Sequence, residues 1–333
     1  MRIRVWGLVM VLVVVVAGCH GNFVDQTSKT EEKEETTSGT LSRDPFTGMP
    51  EKGDARSALM VMVNNHAKAR PQSGLNRADV VVEILAEGPI TRFAAFYHSQ
   101  NPGKVGPVRS VRPYFLDLAA GMGAVVAHAG GSPAALKRIE SERIPSLDGI
   151  HGAARYFQRE KSRQPPHNLY TDVEQLRQGA NQQGLSPDSA VEGPWRFDDR
   201  GAVEQGRSAS EVEIRYGSRY QVGYRYDEAS EEYIRYTQGK KQVDRETNQP
   251  LSMNNILVLY TDHQVVDSAG RREVDLKESG KGYLFQKGKR IAIHWENRDG
   301  WLVPLVEQEV VPLLPGKTWI NILPEDGHVS SRG

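Results

Sequence analysis

The residues able to do chemistry gather in the first half of the chain, and each group adjoins a short apolar run. Asn65 and His66 follow one run, Glu83 and Glu87 bracket the end of the next, and Arg92 opens a third. Arg109 and Arg112 stand three apart ahead of a helical stretch, His128-Ala129-Gly130-Gly131-Ser132 links an apolar run to a helix, and His167 lies in Pro166-His167-Asn168. Two guanidiniums at a helix start, beside free backbone N–H groups, can clamp a phosphate or carboxylate. The competing role for either arginine is an ion pair with a buried carboxylate such as Glu87 or Asp117. Gly130 and Gly131 would let backbone amides approach an anion, and Ser132 would cap the helix or donate to the ligand. The expected ligand-binding set is Asn65, His66, Arg92, Arg109, Arg112, His128, Gly130, Gly131, Ser132 and His167.

Glu83, Glu87 and His128 are the candidate acids and bases. Two carboxylates could cleave a glycosidic bond if their separation allows it. A strand continuing through residue 87 would put Glu83 and Glu87 on one face, whereas a turn at Ala86 would not. His66, His128 and His167 lack metal-ligand spacing, and one cysteine leaves no Cys-x-x-Cys, so no metal is expected. The glycine segment ends in neither Gly-Lys-Ser/Thr nor Gly-x-Ser-x-Gly, which argues against a P-loop and a nucleophile elbow. No cofactor is expected.

Cys19 is the single cysteine and closes Val16-Ala17-Gly18-Cys19, a string of lipobox form. Arg2 and Arg4 precede an aliphatic stretch over residues 5–16, too short for a membrane span of about 20 residues. Residues 1–18 are therefore expected to be a lipoprotein signal peptide, with Cys19 lipidated and the mature chain anchored on the outer face of a bacterial cell membrane. Two acyl chains, at about 0.8 kcal/mol per buried CH₂, hold where one would bind marginally. Residues 19–43 are polar, with Glu-Glu-Lys-Glu-Glu and many threonines, and cannot offset the entropy of ordering. As a tether they would span on the order of 25 Å.

The whole chain carries 42 basic and 42 acidic side chains, so net charge names no partner. Residues 58–170 hold 14 Lys and Arg against 8 Asp and Glu, a formal +6, with five of the nine histidines. That excess suits an anionic partner. Nucleic acid is not expected, because no nucleic-acid motif accompanies the charge and the anchor places the protein outside the cytoplasm.

These residues must be positioned by the runs around them. Leu59–Val63, Val80–Leu85, Phe93–Tyr97 and Ala124–His128 read as buried strands, and residues 113–122, 132–142 and 172–183 as helices. From about residue 211 large apolar and polar groups alternate with period two, as at Val212 to Tyr216, Tyr220 to Tyr226 and Tyr233 to Tyr236. The fold class expected is α+β: an N-terminal mixed α/β sheet domain with helices over residues 44–190, then a smaller, mostly antiparallel β domain over 211–326. Glycines and prolines in 191–210 mark the joint. The tyrosines and Trp295, Trp301 and Trp319 would form a core or interdomain face, or stack on sugars.

Asp44-Pro45-Phe46-Thr47-Gly48, Ala69-Arg70-Pro71-Gln72-Ser73-Gly74-Leu75, Glu87-Gly88-Pro89-Ile90-Thr91-Arg92, Gly106 to Tyr114, His128 to Pro133, His167 to Tyr170 and Gly316-Lys317-Thr318-Trp319 occur in order. In these motifs the chain resembles the YerB-type bacterial lipoproteins, the two-domain DUF3048 family, over residues 44 to 324. The resemblance implies two domains and no known reaction. The residues themselves point to an envelope protein binding an anionic wall ligand or an envelope partner protein. An envelope hydrolase or transglycosylase using Glu83 or Glu87, and a protein-recruiting scaffold, are the alternatives.

Overall fold

The computed structural model describes residues 42–51, 56–185 and 191–333. Cys19, the expected signal peptide over residues 1–18 and all but residues 42 and 43 of the expected tether lie outside them. Among the described residues no helix is long and apolar enough to cross a membrane.

The strands expected in the first half form β1 (Ala58–Asn64), β2 (Val80–Glu87), β3 (Ile90–Tyr97) and β4 (Ala124–His128), with a short β5 at Ser146–Asp148. Their apolar runs are continuous because both faces are covered, so neither face needs polar side chains. The helices are α1 (Pro113–Gly121), α2 (Pro133–Ser141) and α3 (Val173–Gln182). Proline at the first turn sets α1 and α2, and Asp172 caps α3 by accepting the Glu174 and Gln175 N–H groups at 2.8 and 3.1 Å.

The second half shares a sheet with the first. Thr318–Leu323 pairs in parallel with β2 on one side and with Asn255–Tyr260 on the other. A twelve-stranded sheet thus runs from Glu309–Val310 through Trp301–Val306, Lys289–Arg298, Ser279–Gln286, Asn255–Tyr260 and Thr318–Leu323 into β2, β3, β1, β4 and β5, with Arg207–Ser208 pairing at Lys289–Arg298. A six-stranded antiparallel sheet built on Glu211–Arg215, Gln221–Asp227 and Glu232–Thr237 forms a second layer. With three α-helices against this strand content among the described residues, the protein is mostly β rather than a balanced α+β.

The large sheet has a core on each face. On one, Met60, Met62, Val82, Ile84 and Val126 pack with Tyr114, Phe115 and Leu118 of α1 and Ala135 of α2. On the other, Val61, Val81, Leu85 and Phe93 pack with Leu176 of α3 and with Val212, Ile214, Tyr224 and Tyr233 of the six-stranded sheet. The tyrosine strip is thereby buried: Tyr216, Tyr220, Tyr224 and Tyr233 are at most 6% exposed and present no sugar-stacking surface.

Candidate functional site

Two polar clusters arise at β1 and β2, one sealed and one open. The sealed cluster centres on Glu83, fully buried on the face toward the six-stranded sheet. Its Oε1 accepts from Thr91 Oγ1 at 2.7 Å, Tyr220 hydroxyl at 2.8 Å and Asn65 Nδ2 at 3.2 Å. Its Oε2 accepts from Arg235 Nη2 at 2.7 Å and Trp319 Nε1 at 3.3 Å. Arg235, also fully buried, gives Nη1 to Tyr224 hydroxyl and Nε to Gln242 Oε1 at 2.8 and 2.9 Å, and stacks on Trp319 at 4.5 Å. Burial opposes the charge on Arg235, but Glu83 and the tyrosines outweigh it and hold the guanidinium ionised. Asn65 belongs here too, its Oδ1 accepting from Arg70 Nε at 3.0 Å and Gln72 Nε2 at 3.1 Å. Every group is matched, and all but the partly buried Arg70 are hidden from solvent. Glu83 and Asn65, expected at a catalytic or ligand site, instead join the two sheets.

A bulge between Leu85 and Glu87 reverses the side-chain parity of β2. Glu87 therefore faces Arg92 and Arg112 rather than Glu83's partners: Oε1 contacts Arg112 Nη2 and lies 3.7 Å from Arg92 Nη2. The two glutamates lie in different environments and cannot flank one glycosidic bond as opposed carboxylates. Arg92 Nη1 also donates to the Ser110 carbonyl at 2.5 Å, and burial pulls its pKa down to about 10. The ion pair between Arg112 and Glu87 is the carboxylate pairing that the sequence offered beside ligand binding.

The glycine loop is likewise occupied. The Ala129, Gly130 and Ser132 N–H groups donate to the Arg109 carbonyl, Asp148 Oδ1 and the Val111 carbonyl. A Cβ on Gly131 would meet Leu136 and Val111 at about 3.0 Å, so this glycine serves close packing. Ser132 Oγ accepts the Ala135 N–H at 3.3 Å and caps α2. His128 is buried, with Nδ1 2.9 Å from the Gly130 carbonyl and burial holding it below the usual imidazole range. His128, Gly130, Gly131 and Ser132 thus form a packed strand-to-helix junction, not a nest of free amides.

The open cluster forms where three segments meet. Asn64 N–H donates to the Pro107 carbonyl, Arg109 N–H to Met62 and Val108 N–H to Leu169, so the end of β1, residues 107–109 and residues 167–169 lie side by side. This juxtaposition stacks His66 on His167, ring centroids 4.8 Å apart at 14°. Asn64 Oδ1 accepts the His66 N–H at 3.0 Å, which turns its Nδ2 toward His167 Nδ1 at 2.8 Å. His66 Nδ1 accepts the Lys68 N–H at 3.2 Å. Both Nδ1 atoms being acceptors, each neutral ring carries its proton on Nε2 and offers a donor. Arg109, partly buried, has no side-chain hydrogen bond or ion pair among the described residues.

Electrostatically the cluster is one-signed. Burial, then Lys68, Arg109 and Arg70, hold His66 below the usual imidazole range; burial, then His66, Arg109, Lys68 and Arg163, do the same for His167. An open cleft of about 420 Å³, lined by Lys68, Ser162, Arg163, Gln164, His167 and Arg245, contains no carboxylate. Arg245 is met by Glu160 at 3.4 Å and Arg163 donates to the Lys68 and Pro71 carbonyls, while Lys68 has no ion pair among the described residues, and the net positive charge suits an anion. Of the expected set, His167 lines this cleft, His66 stacks on His167, and Arg109 acts electrostatically on both rings and on Arg92. Lys68, Arg163 and Asn64 were missed, although Lys68 stands two residues from His66. Among the described residues no group of three His, Cys, Asp or Glu side chains is arranged to hold a metal ion.

Two family models match, described as the N-terminal and C-terminal domains of a protein of unknown function (DUF3048), over residues 46–186 and 212–320. The chain is 41% identical over 286 residues to "Putative lipoprotein YerB" of Bacillus subtilis (strain 168), covering 84% of this chain and 86% of that one. A crystal structure of the YerB protein from Bacillus subtilis superposes with a TM-score of 0.79 at 39% identity, covering 87% of this chain and all of that one. The protein belongs to the two-domain DUF3048 family, with YerB of Bacillus subtilis among its relatives.

Proposed function

We propose that the protein is a membrane-anchored lipoprotein of the cell envelope, held by a lipidated Cys19, that binds an anionic ligand between Arg109, His66 and His167. The anchor is supported by the lipobox and by the name of the Bacillus relative. The observation that carries the binding reading is the Arg109 guanidinium, without a side-chain partner among the described residues, in electrostatic reach of two stacked imidazoles held low by burial and neighbouring positive charge. A purely structural buried arginine finds a carboxylate or carbonyl, as Arg235 and Arg177 do here.

Calorimetry on the full chain in detergent tests the reading, with inorganic phosphate and sulfate as probes. Saturable binding is expected, weakened at least tenfold by Arg109→Gln with the melting temperature unchanged. No binding of either anion, or binding indifferent to Arg109→Gln, overturns it. Labelled palmitate should enter the wild-type chain in a bacterial host and not Cys19→Ser.

A further inference from the structure

The open cluster continues into a second cationic position, three residues along the chain. Arg92 and Arg112 have side chains only 5% and 4% exposed, and one carboxylate oxygen serves both. That carboxylate belongs to Glu87, whose side chain is 36% exposed. Two buried guanidiniums thus share one partly solvated charge, which leaves an excess of positive charge. The bonding is also incomplete, since Arg112 Nε is buried without a partner, as is Arg272 Nε. Arg272, which donates to the Gly88 carbonyl beside Glu87, extends the same belt. Asp267, the other nearby acid, is engaged by Arg271 at 3.0 Å.

The two positions are coupled by the backbone. Arg92 donates to the Ser110 carbonyl, between Arg109 and Arg112 in the chain, and Arg109 depresses Arg92 electrostatically. The Cα atoms of residues 109 and 112 can lie at most about 10 Å apart even with the chain extended. Both side chains thus leave one short stretch of backbone, from which neighbouring anionic groups of one molecule could be reached.

Resting on the anion-binding reading above, we infer that the ligand carries at least two phosphates in a row. One lies on Arg109, His66 and His167, and the next displaces Glu87 from Arg112 and Arg92. Glu87 is then an internal stand-in for the second anion. It keeps two buried arginines charged in the empty protein and withdraws toward solvent when a phosphate replaces it. A phosphate has the additional acceptor oxygens that the Arg112 Nε–H lacks in Glu87. The chemistry could come from an anhydride-linked chain or from a diester-linked one.

The test is calorimetry on the full chain in detergent at fixed ionic strength, with inorganic phosphate, tripolyphosphate and a glycerol-linked bisphosphate. Wild type should bind at least one of the two linked phosphates tenfold or more tighter than inorganic phosphate, and this comparison needs no variant. Glu87→Gln removes the competing charge and should strengthen that linked ligand severalfold, while changing inorganic phosphate less than twofold. Arg112→Gln should erase the advantage of the linked ligand and leave inorganic phosphate binding in place. Which linked ligand gains from Glu87→Gln identifies the linkage. Equal affinities for single and linked phosphates, or a Glu87→Gln effect that is equal on all probes, nil or weakening, overturns the two-point site alone. Failure of every probe to bind overturns the anion reading itself.

Discussion

Replacing Glu83 by glutamine should be among the most damaging single-atom changes in this protein, without touching the binding site. The carboxylate accepts from five side chains: Asn65, Thr91 and Tyr220 at Oε1, Arg235 and Trp319 at Oε2. Glutamine keeps one acceptor oxygen. With it toward Asn65, Thr91 and Tyr220, the new NH₂ confronts the Arg235 guanidinium and the Trp319 indole N–H, donor against donor. Arg235 is fully buried, so its charge would stay without a counter-ion. Breaking a buried pair from one side costs about 3–5 kcal/mol, against a typical total stability of about 5–15 kcal/mol. Urea unfolding followed by tryptophan fluorescence should therefore show a markedly lower midpoint. In an Arg235→Gln background the same change should cost only about 1 kcal/mol, since no buried charge remains to be abandoned. Sulfate affinity of folded Glu83→Gln should equal wild type. A loss under 1 kcal/mol, or selective loss of sulfate binding at full stability, would refute the assignment of Glu83 to the scaffold.

Three further outcomes follow from the same geometry. Asp79 accepts the His98 and Ser99 N–H groups at 2.6 and 2.9 Å and the Ser99 hydroxyl at 2.5 Å, yet burial dominates and raises its pKa to about 6. Because the folded value lies above the ordinary 3.8, its contribution is fully present below that pH and is lost as pH rises through 6. The gap corresponds to about 3 kcal/mol, a slope in the pH dependence of stability that Asp79→Asn should remove. Phe46, fully buried with ring centroids 5.3 Å from both His98 and Trp301, pins residues 42–51 to the core; Phe46→Ala should cost about 3–5 kcal/mol in chemical denaturation. Sulfate, which does not titrate near neutrality, should bind several times tighter at pH 5 than at pH 7.5, because His66 and His167 are held neutral by burial and neighbouring cations until acid charges them. Weaker binding at the lower pH in calorimetry would contradict a role for the two rings.

Sequence alone located the strands and helices of the first half well, because fully covered strands such as β1 write their burial as an uninterrupted apolar run. Caps at Ser132 and Asp172 were equally visible, being local chemistry. Pairing was not. Nothing in Thr318–Leu323 announces that it lies against β2, more than two hundred residues earlier, so the shared sheet escaped a reading made along the chain. The Glu83 partnership was partly legible: Arg235 has the parity of Tyr233 and Thr237, the inward face of its strand, and a buried arginine requires a carboxylate. Glu83, in the middle of an apolar run, was the matching signal. The bulge that separates Glu87 from Glu83 left no such mark, and neither did the stacking of His66 on His167 across a hundred residues. The glycine segment misled for a physical reason: glycines that admit an anion and glycines that admit Leu136 and Val111 look alike in sequence.

The most direct measurement is nitrogen-15 NMR of the histidine rings in the full chain during a sulfate titration. The account predicts that the Nε2 signals of His66 and His167 move together and saturate, that exposed His151 stays put, and that Arg109→Gln abolishes the response. Rings that ignore sulfate, or shifts that survive Arg109→Gln unchanged, would contradict an anion site between these residues.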